Sequence, residues 1–419
     1  MERSKSLDLL RTFAIVLVCF GRHLTPYPGG SDSVFQVGIH NLTVVLRRGG
    51  WIGVDLFFVL SGFLVSGLLF REYQRFGSLS GKSFLIRRGF KIYPAFWLLI
   101  ITTVAVNGLR QHHFPIKTTL SELAFVQNYG PYLWSHTWSL AVEEHFYFLL
   151  LLFLLFLSRR QRSRKPFGVI PVSFLILATV CLIMRVITAH KLPYGHKTHL
   201  FPSHLRMDSL FFGVLISYLY HIYPKRFLAF AKQFRWVLVV CGIAMLAPAF
   251  IFQLETSPFI STFGLTIFYI GSGCLLVASI AMTLPDTRAF RFASYIGSHS
   301  YSIYLWHVAV AVWLIPVFSR LAGVHWSWPL YAVTYVVCSL SVGVAMALLI
   351  EFPTLRVRDR FFPSRGRPLS VSPVGPNPAS APVAQLCLVR TRAARKRSKA
   401  SARNGGGGAR RDRFSPVKR

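Results

Sequence analysis

Residues 136–147 read HTWSLAVEEHFY, and residues 148–157 continue as FLLLLFLLFL. Two neighbouring carboxylates, Glu143 and Glu144, therefore stand at the mouth of an apolar run long enough to enter a bilayer. A charge close to hydrocarbon is expensive, and it is kept there for function or by a partner. Two readings stay open at this point: acids of a functional site, or a buried ion pair that orients helices.

Outward from this stretch, runs of roughly 20 apolar residues recur, the length a bilayer-spanning helix needs. They centre on residues 7–23, 51–69, 92–108, 138–157, 169–187, 205–219, 236–252, 263–283, 301–318 and 330–350. The chain has 419 residues, 53% of them hydrophobic, with a mean hydropathy of +0.48. Those values exclude an ordinary soluble domain. The expected fold class is an all-α polytopic membrane protein with about ten transmembrane helices. A net charge of +33 would point to nucleic acid in a soluble protein. Here Lys and Arg fall in loops and in the tail, so topology accounts for them and no nucleic-acid partner is expected. The cysteines (Cys19, Cys181, Cys241, Cys274, Cys338, Cys387) form no C-x-x-C pair and read as small residues of apolar runs. The first apolar run carries Asp8 and Arg11 and reads as a mature helix, not a cleaved leader.

The loops set an orientation. Arg71, Arg75, Lys82, Arg87, Arg88 and Lys91 lie between the second and third runs, and Arg159, Arg160, Arg162, Arg164 and Lys165 between the fourth and fifth. Lys225, Arg226, Lys232 and Arg235 follow the sixth, and Arg288 and Arg291 the eighth. The alternate loops are poorer in cations, and the positive-inside rule makes the basic loops cytoplasmic. Ten spans then put both termini in the cytoplasm; Arg47 and Arg48, in the first outer loop, are the misfits. Residues 1–360 read as one membrane domain. Residues 361–419, rich in Pro, Ser, Ala, Arg and Lys, read as a basic, disordered cytoplasmic tail. Chemistry is then expected among the helices and their loops.

This orientation turns residues into a geometry. The first run places Arg11 near the cytoplasm and His23 near the outer face, roughly 18 Å apart along the axis. His23, Asp55, Glu143, Glu144, Arg206 and Asp208 are expected to share an outer pocket. Arg11, Arg87, Arg88 and Lys91 collect at the inner face. A neutral imidazole beside a carboxylate can take a proton from a hydroxyl. Arginines suit a phosphorylated ligand, because the guanidinium presents a fork of donors. Together these groups point to group transfer across the membrane, although cations in cytoplasmic loops are also expected from topology alone. His307, within YSIYLWH, fits either a hydrogen bond across helices or substrate binding. Trp134 and Trp138 fit either stacking on a sugar or an interfacial belt. His190, His196, His199 and His204 lack a clean helical spacing, so no metal site is expected. No P-loop, Rossmann fingerprint or G-x-S-x-G is present.

Several stretches, in order, carry a resemblance: LDLLRTFAIVLVCFGRH, GWIGVDLFFVLSGFLVSGLL, FLIRRGFKIYP, TWSLAVEEHFYFLL, LRMDSLFFGVLISYL, YSIYLWH and IEFPTLRVRDR. The chain resembles the integral-membrane acyltransferases of acyltransferase family 3, mostly sugar O-acetylases, over about residues 5–360. The resemblance implies an acyl-CoA donor, usually acetyl-CoA, as co-substrate with no tightly bound cofactor. It implies a hydroxyl acceptor on a glycan or a glycosylated small molecule, and a bacterial cytoplasmic membrane as the location. Arg11 and His23 match the first-helix Arg and His, the His being the base. Arg88 and Lys91 match the basic pair that meets the donor, Glu143 and Glu144 the acidic pair, and Arg206 and Asp208 the sixth-helix pair. There are departures. One more residue than usual separates Arg11 from His23, His145 stands where Gln is common, and Lys91 replaces Arg.

The expected mechanism docks donor phosphates at Arg87, Arg88 and Lys91, with the pantetheine arm passing Arg11. His23, oriented by an outer carboxylate drawn from Asp55, Glu143 and Glu144, deprotonates the acceptor hydroxyl. Trp138, Ser139, Arg206, Asp208, Tyr301 and His307 serve the acceptor or the structure. An acyl-enzyme on His23 or Ser61 stays open. The rival reading is a transporter or flippase using the same groups as a proton relay.

Overall fold

A computed structural model describes residues 5–28, 33–111, 114–159, 167–322 and 327–363, and among them the regular elements are all helical. The first helix, α1 (Lys5–Ile15), runs into a π-helical segment, Val16–Arg22. Next come α2 (Val34–Gly49), a 3₁₀ turn at Gly50–Ile52 and α3 (Gly53–Phe76). Then follow α4 (Gly81–Gln111), α5 (Ile116–Leu123), α6 (Trp138–Arg159) and α7 (Ile170–Lys191). The middle of the chain holds α8 (Met207–Ile222), α9 (Pro224–Gln233), α10 (Arg235–Leu246) and α11 (Pro248–Ile251). The last elements are α12 (Leu265–Ala281), α13 (Arg288–Ser298), α14 (Ser300–Ala309), α15 (Ile315–Ala322), α16 (Trp328–Met346) and α17 (Phe352–Phe361).

The membrane reading holds, and the span count needs adjusting. Each of the apolar runs is helical, but among the described residues seven helices are long and apolar enough to cross a membrane unaided. An eighth is gained if α9 and the helix after it, bent by 74°, are taken as one span. The first run falls short because Lys5, Asp8, Arg11 and Arg22 crowd its 18 residues. The sixth falls short because α8 has only 16 residues. What was expected as the first outer loop contains α2. Arg47 and Arg48 close its last turn, and the Nη1 of Arg48 donates to the Ile251 carbonyl at 2.8 Å, where α11 ends. A cation on the bare carbonyls of a helix end is favourable. Arg48 therefore has a structural role at this helix end. Residues 160–166, His112, His113 and the tail from 364 onward lie outside the described residues.

Local chemistry explains the helix ends. Pro stands in the first turn of α7, α9 and α16, where its missing N–H costs nothing. α3 ends at Gly77, whose φ of 65° is a left-handed conformation that a side chain disfavours. Helix α3 packs along α8, and a Cβ on Gly62 would collide with the Leu210 carbonyl, as one on Gly213 would with that of Val59. Only glycine lets these backbones approach so closely. Pro94 inside α4 cannot donate to the Phe90 carbonyl. The Thr354 hydroxyl reaches that carbonyl at 3.4 Å, tying α17 to α4 beside the site.

Candidate active site

Helices α1, α3, α4, α6, α14 and α17 surround a cavity of about 650 Å³, within the range of small-molecule sites. Arg11, Arg71, Arg87, Arg88, Lys91 and Arg358 line it together with the acids Asp8, Glu72, Glu143 and Glu351; Ser61, Ser139, Tyr147, Tyr301 and Tyr304 add hydroxyls, among Leu, Val and Phe side chains. All four cations expected at the inner face are here.

Most of these cations are already engaged. Arg11 pairs with Asp8 one turn before it. Arg87 donates to the Phe362 carbonyl and, at 3.0 Å, to Asp359. Lys91 pairs with Glu351, a buried carboxylate that also accepts from Ser302 at 2.6 Å. Arg88 differs. Among the described residues no carboxylate forms an ion pair with it, and its guanidinium sits over the Tyr147 ring, 4.8 Å from the centroid. A cation held by an aromatic face keeps its N–H donors for a ligand.

The acids of α6 are held by hydroxyls. The Ser61 hydroxyl donates to Glu143 at 2.9 Å and the Tyr147 hydroxyl at 2.7 Å, one on each carboxylate oxygen. The Tyr93 hydroxyl donates to Glu144 at 3.0 Å, and the second oxygen of Glu144 has no partner among the described residues. Glu143 lines the cavity and Glu144 does not. Trp138 is buried face to face with Phe201, with centroids 4.9 Å apart. Ser139 and Tyr304 share a hydrogen bond of 2.7 Å, and Tyr301 donates to the Ile92 carbonyl at 2.7 Å.

The expected outer pocket divides into separate groups. Asp55 pairs with Arg206 at 2.7 Å, and Asp208 pairs with Arg185; all four side chains are essentially inaccessible. None of them lines the cavity. His23 is also outside the cavity wall. Instead of a carboxylate, its Nδ1 faces the Val18 carbonyl at 3.0 Å and Nε2 of His307 at 3.2 Å. His307 in turn packs edge-on to His136, with centroids 5.2 Å apart. Tyr304 stands between this histidine group and the cavity. It lines the cavity, its ring lies 5.5 Å from that of His136 and 5.8 Å from that of His307, and its hydroxyl donates to the His136 carbonyl at 2.6 Å. Between Arg11 and His23 the helix turns π-helical over Val16–Arg22. An α-helix would swing His23 about 100° further round per residue; an i→i+5 turn takes up one residue without ending the helix.

The loop before α6 is organised by Glu122, which sequence reasoning did not single out. Its buried carboxylate accepts from the Thr137 hydroxyl at 2.9 Å and from the backbone N–H groups of Leu133 and Trp134 at 3.0 and 3.3 Å. Burial raises its pKa to about 7 against the pull of those donors. On the outer side, burial lowers the pKa of His196, with Arg22 adding to the effect and Glu255 opposing it. His136, Arg185, Glu351, Arg71, Arg358 and Tyr304 were also missed as partners. Arg185 and Glu351 carried a usable signal, since each is an ionisable residue in an apolar run. Arg71 and Arg358 did not stand out from other loop cations.

The fold and this cavity define a helical membrane protein with a cation-rich, partly apolar cavity among its helices. The family model of the acyltransferase domain matches residues 4–348, and the chain belongs to that family. It is 27% identical over 334 residues to a peptidoglycan O-acetyltransferase of Listeria monocytogenes, covering 74% of this chain and 53% of that one. A Bacillus subtilis protein provisionally named a peptidoglycan O-acetyltransferase is 28% identical over 319 residues, covering 68% and 48%. A Staphylococcus aureus protein (strain COL) provisionally named an O-acetyltransferase is 29% identical over 305 residues, covering 66% and 49%. The chain thus spans about half the length of the curated relatives it matches. No solved structure matches it.

Proposed function

We propose that this chain is a membrane-embedded O-acetyltransferase of a bacterial cytoplasmic membrane, moving an acetyl group from acetyl-CoA to a sugar hydroxyl of a cell-wall glycan. The observation that carries the reading is the cavity itself, rich in cations, hydroxyls and acids and bordered by Tyr304, whose ring lies 5.8 Å from that of His307, the partner of His23. Relatives named for peptidoglycan O-acetylation support the glycan acceptor.

By the positive-inside rule the loop cations of the cavity are cytoplasmic. Arg88, which forms no ion pair among the described residues, takes the donor phosphates, with Arg71 and Arg358 lining the same cavity. Arg87 and Lys91, held by Asp359 and Glu351, shape the mouth. The pantetheine arm lies along the apolar wall, and the thioester reaches the end closed by Ser139 and Tyr304. His23 serves as base for the acceptor hydroxyl: it takes the proton as the ester bond forms and returns it to the departing thiolate. Glu143, oriented by Tyr147, stands against Ser61, the arrangement of a base and a potential acyl carrier inside the cavity.

The test is calorimetry of acetyl-CoA with the purified full chain, beside desulfo and dephospho analogues. Saturable binding that weakens with each phosphate removed supports the reading. Equal binding of donor and phosphate-free pantetheine contradicts the assignment of the cavity's cations.

A further inference from the structure

The histidine pair has a chemistry that can be read from its main-chain partners. Carbonyl oxygens only accept, so each ring nitrogen facing one must carry its proton. The Nδ1 of His307 lies 2.6 Å from the Tyr304 carbonyl, which makes that nitrogen the donor and leaves its Nε2 as an acceptor. The Nδ1 of His23 lies 3.0 Å from the Val18 carbonyl and therefore carries a proton, shared with the Nε2 of His307 at 3.2 Å. The Nε2 of His23 is then left with a bare lone pair. His136 closes the group from behind, donating from Nε2 to the Leu305 carbonyl at 3.1 Å. His307 and His136 are fully buried, while His23 is half-buried.

We infer that His307 is a positioning residue for the acyl transfer: it accepts the Nδ1–H of His23, fixes the plane of that ring edge-on at 4.8 Å, and leaves the Nε2 of His23 free to take the acceptor's proton. The inference rests on the acetyltransferase reading and adds a residue to it. In the step, the Nε2 of His23 receives the hydroxyl proton while the acceptor oxygen bonds to the acyl carbon and the C–S bond breaks. The proton then passes from Nε2–H to the thiolate, and both rings end neutral. While His23 is an imidazolium, its Nδ1–H still points to the neutral His307, which stabilises the charge without holding a carboxylate in the bilayer. This is the part that an aspartate plays towards histidine in a Ser-His-Asp triad, taken here by a second histidine whose tautomer is locked by a helix carbonyl. Among the described residues the His23 ring hydrogen-bonds to the Val18 carbonyl and to His307 and forms no ion pair with a carboxylate.

The experiment compares wild type, His23→Ala, His307→Leu and His307→Gln, each full-length and purified, with labelled acetyl-CoA as donor and peptidoglycan glycan fragments as acceptor probe. The Gln oxygen reaches about where Nε2 of His307 stands, and Leu offers no acceptor. The expected result has His307→Leu losing about tenfold or more in kcat at unchanged KM for acetyl-CoA. Its acid limb moves to lower pH because the imidazolium has lost an acceptor, and His307→Gln restores most of both. A Leu variant with wild-type kcat and pH profile overturns the inference. So does loss of activity with no pH shift and no rescue by Gln, which marks a packing role. A second arm is independent of turnover: ¹⁵N-labelled histidine should show a coupling across the hydrogen bond between Nδ1 of His23 and Nε2 of His307, absent in His307→Leu. Its absence in the wild type overturns the pairing. Full activity of His23→Ala, or no transfer by any form while that coupling is present, removes the parent reading and leaves the histidine pair standing as structure alone.

Discussion

Helices α6 and α8 both carry acids into the apolar layer, and they partner them in opposite ways. On α8, Asp208 is paired with Arg185, and the neighbouring Arg206 is paired with Asp55 of α3; these groups are sealed from solvent and from the cavity. On α6, Glu143 and Glu144 are met by hydroxyls of Ser61, Tyr147 and Tyr93, and Glu143 opens onto the cavity. A guanidinium that fully balances a carboxylate makes an inert lock. A hydroxyl satisfies the carboxylate's lone pairs without cancelling its charge, so the group stays able to take or give a proton. Acids of similar rarity in the sequence therefore do different work, and the kind of partner tells them apart.

The comparison breaks first on stability. Asp208→Ala strands Arg185 as an uncompensated buried charge and should cost about 3–5 kcal/mol, read as loss of folded protein in a detergent melt. A melt like the wild type would mean that the pair is not a lock. Glu143→Gln should do the reverse, keeping the melt within about 1 kcal/mol while transfer falls on the order of 100-fold. Parallel loss of fold and activity would put α6 in the same class as α8. Among the cations, Arg88→Gln should weaken acetyl-CoA binding by about 10-fold or more, as befits a lost charge-assisted contact, and Arg87→Gln should weaken it less. Calorimetry that ranks them the other way would return the donor to the carboxylate-held pair.

Smaller effects test the loop before α6. The folded-state pKa of Glu122 is raised from 4.5 to about 7, so the folded state binds the extra proton in that interval. Its contribution is whole below pH 4.5 and is lost as the pH rises through about 7. Between pH 6 and 8 the melt should soften by about 1 kcal/mol, and Glu122→Gln should flatten that slope. An unchanged slope would show that another group titrates. Least of all, Asp286→Asn removes an exposed partner of Lys5 and should leave the melt unchanged.

Much of this was legible in the sequence, for identifiable reasons. Apolar runs gave helices and their approximate limits because bilayer thickness fixes a length. Arg87, Arg88 and Lys91 line the same cavity as Arg11, a grouping that chain direction already suggests. Partners were not legible. Asp55, Glu143 and His23 all fall on the outer half of their helices, and axial position says nothing about azimuth, so one expected pocket became an ion-pair lattice, a cavity wall and a histidine group. The length of α2 was missed because its apolar residues are diluted by His40, Asn41 and Gln36. His136 was read only as the start of a motif, although its backbone and ring both meet Tyr304.

The most direct measurement is transfer in oriented vesicles containing the full chain, with labelled acetyl-CoA supplied only to the face bearing the Arg88 end and glycan acceptor supplied only to the other. Label on the glycan across the membrane, lost in His23→Ala, is the expected result. Label that appears only when donor and acceptor share a face, and equally in both forms, would contradict an acyl path from the cationic cavity past Tyr304 to His23.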